Sequence, residues 1–324
     1  MLAIGVVCGA ITAAIAVFIP WLPEEGAKEA GPIDDVYWVV TIISIVIFAL
    51  VAGVSIYSVF KFRAAPDDEE DGAPIHGNTR LEIAWTAVPT ALVTAIAVYS
   101  GIVLTKNERV PEGTRIVNIT AQQFAWSFSY AGEKMPASGE LVLPVDQPVR
   151  LVMTSKDVIH SFWVPQWRLK QDVVPGIETK LLITPDRLGT YDVVCTELCG
   201  LGHSTMRAQA RVLTSSAFQA WMRARQQGAS TGGASQGKAL FTANCGSCHT
   251  LSDAGSTGQV GPNLDEALPG KDTAFIRESI VDPNKVIAGG YQPNVMPQNF
   301  GEMFSEAQLN GLVDYLASAT SKGS

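Results

Sequence analysis

Basic residues are in short supply: 23 Lys and Arg stand against 31 Asp and Glu, for a net charge of −8. A nucleic-acid binder usually carries a basic footprint, so that class is excluded. Cysteine is scarce, at five residues, and four of them fall in two close pairs, Cys195 with Cys199 and Cys245 with Cys248. So few exclude a disulfide-stapled mini-fold, and Cys8 is left without an assignment. Histidine is scarcer still, at four: His76, His160, His203 and His249. No internal repeat is visible. Charged residues make up 17% of the chain, a low share for a globular protein, and they are unevenly spread. The length of 324 residues predicts about two domains.

Three stretches lack charge altogether: residues 2–22, 36–60 and 83–104. About 20 apolar residues suffice for a helix to cross the hydrocarbon core, so each run is long enough. Pro89 in the third is tolerable because neighbouring helices satisfy the freed backbone groups. The second and third runs form a transmembrane helical hairpin over 33–106. The first, over 1–22, is an additional N-terminal transmembrane helix or a signal segment. It has neither a positive n-region nor a clear A-x-A site, and Gly5-Val6-Val7 before Cys8 makes a poor lipobox. Lys61, Arg63 and Arg80 lie between the second and third runs, whereas Glu24, Glu25, Asp34 and Asp35 precede the second. The positive-inside rule places the 61–82 loop in the cytoplasm, and the acidic run Asp67 to Asp71 counts little against it. Everything after about residue 105 faces outward. His76, in that loop, reads as a solvated residue.

From 111 to 213 the texture changes to short β-branched and aromatic runs punctuated by Gly, Pro and Asp, the pattern of an all-β sandwich or barrel. Residues 214–236 read as a serine-capped amphipathic helix followed by Gly/Ser linker, GASTGGASQG at 228–237. Residues 237–324 are helical at both ends.

Two clusters carry chemistry. The first is His160 upstream of Cys195-Thr196-Glu197-Leu198-Cys199-Gly200-Leu201-Gly202-His203-Ser204-Thr205-Met206. Thiolate and thioether favour copper, while imidazole also suits zinc. A blue-copper site needs two histidines, one cysteine and a weak axial methionine; a second cysteine four residues away offers bridging thiolates for a metal pair. A Cys195–Cys199 disulfide and a tetrahedral zinc site are the alternatives, and zinc leaves Met206 idle.

The strings KDVIHSFWVPQWRLKQDVVPG and CTELCGLGHSTM closely resemble subunit II of cytochrome c oxidase. The resemblance implies a cupredoxin sandwich holding the dinuclear copper centre CuA. Cys195 and Cys199 would bridge the coppers, with His160 and His203 as terminal imidazoles. Met206 and the backbone carbonyl of Glu197 would complete the coordination, and the Glu197 side chain would reach a magnesium ion shared with subunit I. Ubiquinol oxidases have a related subunit without these ligands, so quinol is not the expected direct donor. LEIAWTAVP at 81–89 resembles the second hairpin helix of the family, where the counterpart of Glu82 marks proton uptake; by sequence alone Glu82 is a helix-start charge that suits the dipole. AQQFAWSFSY at 121–130 departs from the family. Phe124 stands where many members carry an electron-accepting tryptophan, with Trp126 two residues on. Both are candidate electron-transfer aromatics, although alternating Phe124, Trp126, Phe128 and Tyr130 also fit a core strand.

The second cluster, Cys245-Gly246-Ser247-Cys248-His249, is the attachment signature of c-type haem. Cys245 and Cys248 would form the thioether bonds and His249 the proximal bond to iron. GQVGPNL at 258–264 resembles the loop that steadies the proximal ring. Asn294-Val295-Met296-Pro297 resembles the distal loop, and a Met/His pair raises the haem potential; Met296, followed by proline, is preferred to Met303. The fold implied is an all-α class I cytochrome c domain.

This order of modules resembles the caa-type oxidases, in which cytochrome c is fused to subunit II. The implied protein is a bacterial plasma-membrane, multi-pass electron-transfer subunit with its redox domains on the outer side. It would pass electrons from haem c to CuA and on to haem in subunit I, where oxygen reduction drives proton translocation. The oxygen-reducing site lies on another chain, because three of four histidines are committed and His76 is cytoplasmic. Expected partners are subunit I, other oxidase subunits such as subunit III, and an upstream cytochrome c or quinol:cytochrome c reductase complex. The alternatives are subunit II of a CuA-containing nitric oxide reductase and a copper-binding or assembly protein.

Overall fold

A computed structural model of the chain describes all residues except 64–73, 75, 134, 136, 229–233, 247, 299 and 322–324. The acidic run Asp67 to Asp71, Ser247 and most of the Gly/Ser segment lie outside the described residues. Two compact units form, Met1–Glu24 with Ala30–Arg109, and Glu25–Glu29 with Val110–Ser324.

The first unit holds three helices, α1 (Leu2–Phe18), α2 (Ala30–Lys61) and α3 (Thr79–Asn107). At 1.5 Å per residue, α2 and α3 each exceed the ~30 Å of a hydrocarbon core. Val46, Phe48, Leu50 and Val51 are more than half exposed, a surface that calls for lipid, not water. The helix α2 starts before the uncharged run because Pro32 sits in its first turn, where a missing N–H costs nothing. Small residues bring α1 and α2 together. A Cβ on Gly53 would lie 3.0 Å from Gly5 Cα, and one on Gly9 would lie 3.2 Å from Ala49 Cβ. Backbones pack this closely when small residues recur four apart, as Gly5 and Gly9 do against Ala49 and Gly53.

In the second unit, nine strands make two facing sheets. Their ranges are β1 (Arg115–Gln122), β2 (Ala125–Tyr130), β3 (Glu140–Pro144), β4 (Val149–Ser155), β5 (His160–Trp163), β6 (Lys170–Val173), β7 (Thr179–Ile183), β8 (Gly189–Cys195) and β9 (Arg207–Leu213). One sheet runs β2-β1-β4-β7, the other β3-β9-β8-β5-β6. The pairs β1–β4 and β3–β9 are parallel and the remainder antiparallel. Alternation builds the core: β4 buries Val149, Leu151 and Met153 and leaves Arg150 and Val152 partly exposed. The expected sandwich is therefore present, and Trp126, Phe128 and Tyr130 of β2 all point into it. Residues 25–29 are stitched on by Gly26 N–H to the Gln166 carbonyl (3.0 Å) and Lys28 N–H to the Thr184 carbonyl (3.0 Å).

After β9, helix α4 (Ser215–Gly228) lays Phe218, Trp221 and Met222 on the sandwich. The Trp221 ring meets Tyr130 edge-on at 5.3 Å. Helix α5 (Ala234–Asn244) opens the last domain, followed by α6 (Leu264–Ala267), α7 (Thr273–Val281), α8 (Phe300–Met303) and α9 (Glu306–Ser321). The stretch read as linker, 228–237, is thus shorter than its composition predicts. Gly228 ends α4, and Ala234–Gly237 belong to α5. Gly237 is a crossing glycine: a Cβ there would fall 2.1 Å from the Gly311 carbonyl oxygen of α9. Around that crossing Leu240, Phe241, Leu312, Tyr315 and Leu316 form a separate core.

Candidate metal and haem sites

The sandwich gathers its metal-binding side chains at one end. His160 opens β5, Cys195 closes β8, and the 196–206 loop returns the chain to β9. The register fixes the approach, since Phe162 pairs with Cys195 across the sheet. His160 is fully buried, Met206 equally so, and both cysteines are 3% exposed.

The donor atoms fall in two matched halves. On one side His160 Nδ1 lies 3.9 Å and the Glu197 carbonyl oxygen 3.3 Å from Cys195 Sγ. On the other, His203 Nδ1 lies 3.6 Å and Met206 Sδ 3.8 Å from Cys199 Sγ. The two sulfurs are 3.9 Å apart, far beyond the ~2.05 Å of a disulfide. His160, Cys195 and Cys199 place their ligand atoms within 4.8 Å of one another. Every residue expected at this site is therefore brought together, and thiolate, thioether and imidazole in one pocket fit copper.

Electrostatics prepare the pocket for a cation. Burial raises the Cys195 thiol, but its contacts with His160 and with the Ser161 and Glu197 backbone outweigh it and hold the group at about 6. Cys199 moves the opposite way, pushed up by burial and then by the charge on Cys195. The pair of thiols therefore favours holding one negative charge between them over two, and a bound cation would favour the second.

Phe124 packs on the copper-binding loop: a Cβ on Gly202 would lie 2.5 Å from its ring. Trp126 is buried, its ring edge-on to His160 at 6.1 Å and to Phe162 at 5.6 Å. Glu82 lies exposed in a reciprocal cap of α3. Its Oε1 accepts the Asn78 N–H (3.1 Å), while Asn78 Oδ1 accepts the Leu81 N–H (3.2 Å). Two neighbours of the ligands carry no motif of their own, Asp157 and Gln123. Asp157 Oδ1 sits 2.8 Å from His160 Nε2, and the Gln123 amide donates to the Cys199 carbonyl.

In the last domain, a turn after α5 presents the haem ligands, with the Cys248 and His249 N–H groups both donating to the Cys245 carbonyl (3.1 and 2.9 Å). His249 Nδ1 donates to the Pro262 carbonyl (2.9 Å), which aims Nε2 away toward a ligand position. Gly261 lies so close that a Cβ would come within 2.4 Å of the His249 ring. Burial lowers the His249 pKa, so the ring is a neutral base as iron ligation needs. Burial also pushes the Cys245 thiol up to about 12. Met296 packs against the same core, whereas the Met303 side chain lies outside the described residues. A fixed imidazole, two adjacent thiols and a partly buried methionine fit a c-type haem.

Three family models match: "Cytochrome C oxidase subunit II, transmembrane domain" over residues 28–103, "Cytochrome C oxidase subunit II, periplasmic domain" over 131–212, and "Cytochrome c" over 234–320. Cytochrome c oxidase subunit 2 of Synechocystis sp. is 34% identical over 63% of this chain and 75% of its own length. Cytochrome c oxidase subunit 2 of Alkalihalophilus pseudofirmus is 32% identical over 86% of this chain and 85% of its own length. Among solved structures, the periplasmic domain of subunit II of cytochrome oxidase of Bradyrhizobium japonicum is 26% identical, with a TM-score of 0.35, covering 37% of this chain and 99% of that one. A copper-type ligand cage beside a haem-type domain, on a chain alike to these relatives along most of its length, belongs to the cytochrome c oxidase subunit 2 family, in a form with a fused cytochrome c domain.

Proposed function

We propose that electrons enter at haem c, pass to a dinuclear CuA centre bridged by Cys195 and Cys199, and continue to haem in subunit I. The observation that carries this is the two-sided ligand set, with an imidazole and one weak donor on each sulfur. Copper supplies one-electron redox chemistry when bound; the chain's own part is to hold two sulfurs and two imidazoles in a dry pocket. His160, His203, Met206 and the Glu197 carbonyl would complete the hold on copper, and His249 and Met296 would hold the haem iron. The Glu197 side chain is exposed, free to take a magnesium ion at the boundary with subunit I. Phe124 and Trp126 are the aromatic candidates beside the copper, and Glu82 the proton-uptake candidate. Subunit III and an upstream cytochrome c or quinol:cytochrome c reductase are the further partners, and the setting is a bacterial plasma membrane with both redox domains outside.

Purified protein is expected to hold two coppers and one covalently bound haem per chain. It is expected to co-purify with a multispan haem-copper subunit that consumes oxygen. A single copper, or zinc, overturns the CuA assignment. Nitric oxide consumption in place of oxygen points to a reductase, and no oxidase partner points to an assembly protein.

Residues 1–22 are read as a retained span. Support comes from the close approach of Gly5 and Gly9 to Ala49 and Gly53. The intact mass of the mature protein is expected to include Met1 or Leu2. A new N-terminus after residue 18, or a lipid on Cys8, rejects retention in this form.

A further inference from the structure

Asp157 sits at the copper end of the sandwich, yet none of its atoms belongs to the ligand set. Its Oδ1 accepts from His160 Nε2 at 2.8 Å and from the Val158 N–H at 2.7 Å, with Ser155 Oγ at 3.3 Å. Its Oδ2 accepts the backbone N–H of Gln123 at 2.6 Å, from 34 residues away. The Gln123 side chain then donates to the Cys199 carbonyl. These bonds form one run, His160 to Asp157 to Gln123 to Cys199, joining a ligand of one half of the site to a ligand of the other. A local turn around Ser155 and Val158 would account for two of the carboxylate's contacts. It would not account for the bond to the β1–β2 turn or to the imidazole.

Accordingly, we propose that Asp157 is a positioning residue of the copper site, acting with Gln123 as a clamp that fixes His160 and the Cys199 peptide before metal arrives. The clamp rests on the CuA assignment above. The chemistry follows from the two faces of the imidazole. Nδ1 faces Cys195 and must be unprotonated to bind copper, so the ring proton belongs on Nε2, where the carboxylate holds it. Such a partner selects the tautomer, sets the ring's orientation and strengthens the ligand, and its removal typically costs about 10–100-fold in metal affinity. A carboxylate near the metal also favours the more positive, oxidised state. On the other flank, Gln123 immobilises the peptide that carries the second bridging sulfur. Gly200 leaves room for this contact, since a Cβ there would lie 2.7 Å from Gln123 Nε2.

The test compares Asp157→Ala, Asp157→Asn and Gln123→Leu with wild type in the full-length chain within its oxidase complex. Intact covalent haem absorbance serves as the sign of a matured protein. Copper release to a chelator, the copper midpoint potential and the histidine nitrogen hyperfine couplings are read for each. Asp157→Ala is expected to release copper at least about tenfold faster. It is also expected to raise the potential until the oxidised-to-reduced ratio at fixed ambient potential falls about tenfold, which is 59 mV for one electron, and to alter one histidine coupling.

Asp157→Asn retains an acceptor for His160 but cannot also accept from Gln123, so it should fall between wild type and Asp157→Ala. Gln123→Leu keeps the backbone bond to Asp157, and should speed copper release while leaving the His160 coupling intact. If Asp157→Ala does not accumulate, Asp157→Asn decides on the same three measurements. Wild-type values in the Asp157 variants overturn the clamp while leaving the copper assignment standing. A wild-type chain without copper overturns the assignment itself.

Discussion

Cys195→Ser is expected to leave haem c fully reducible by its donor and to stop the electron there. Oxygen consumption should fall by more than about a hundredfold, beyond the 10–100-fold that losing a ligand's hydrogen-bond partner costs. Serine is a hard, weakly acidic donor that copper does not prefer to a thiolate. Cys195 also has His160 Nδ1, the Glu197 carbonyl and the Cys199 sulfur around its Sγ, so its loss removes the donor on which one side of the cage converges. Cys199→Ser should give the same end point, since Cys199 carries the contacts to His203 and Met206. Both variants keep the second domain and its covalent haem. The check is rapid mixing of reduced protein with oxygen: haem c stays reduced in the variants and is reoxidised in wild type. Rapid reoxidation of haem c in Cys195→Ser would show that its electrons bypass the copper site.

Both sites were legible in the sequence because their ligands are crowded into short strings. Cys195, Glu197, Cys199, His203 and Met206 span a single loop, and Cys245, Cys248 and His249 a single turn, so local spacing reports their geometry. His160 is the exception, 35 residues upstream, and it was found through the string that surrounds it, not by spacing. Long-range packing was not legible. Nothing in AQQFAW says that the Gln123 amide will reach the Cys199 carbonyl, because that bond depends on the β1–β2 turn folding over the copper loop. Gly237 misled for the same reason. Beside Gly and Ser neighbours it resembled linker, whereas a packed helix crossing, set by Gly311 and Tyr315 far along the chain, is what requires it. Glu82 shows how one residue serves two readings: a charge at a helix start is also what closes a reciprocal cap with Asn78.

The other large effect concerns the haem. Cys245→Ser combined with Cys248→Ser removes both thioether attachments and leaves His249 on a turn no longer tied to porphyrin. Oxygen consumption with the native donor is expected to drop to about a hundredth, with copper content unchanged. The expected depth of the loss comes from tethering. Short flexible linkers give an effective concentration in the millimolar range, roughly a thousandfold above a micromolar soluble donor, so the fused haem supplies nearly all the encounters the copper site receives. The copper-binding domain at 131–212 and the cytochrome c domain at 234–320 are carried on one chain. Soluble cytochrome c, added at micromolar levels, should restore only a minor part. Phe124 stands where the sequence resemblance leads to the expectation of a tryptophan, and its ring packs against Gly200 and Gly202 of the copper loop. A phenyl ring has no N–H to offer and a smaller face than an indole, so a free donor has less to dock on. Phe124→Trp in the haem-free background is the companion measurement. A rise in turnover with soluble cytochrome c would mean that tethering had relieved this surface of its recruiting role. Undiminished turnover in the double-serine variant would mean that electrons reach the copper without passing through the chain's own haem.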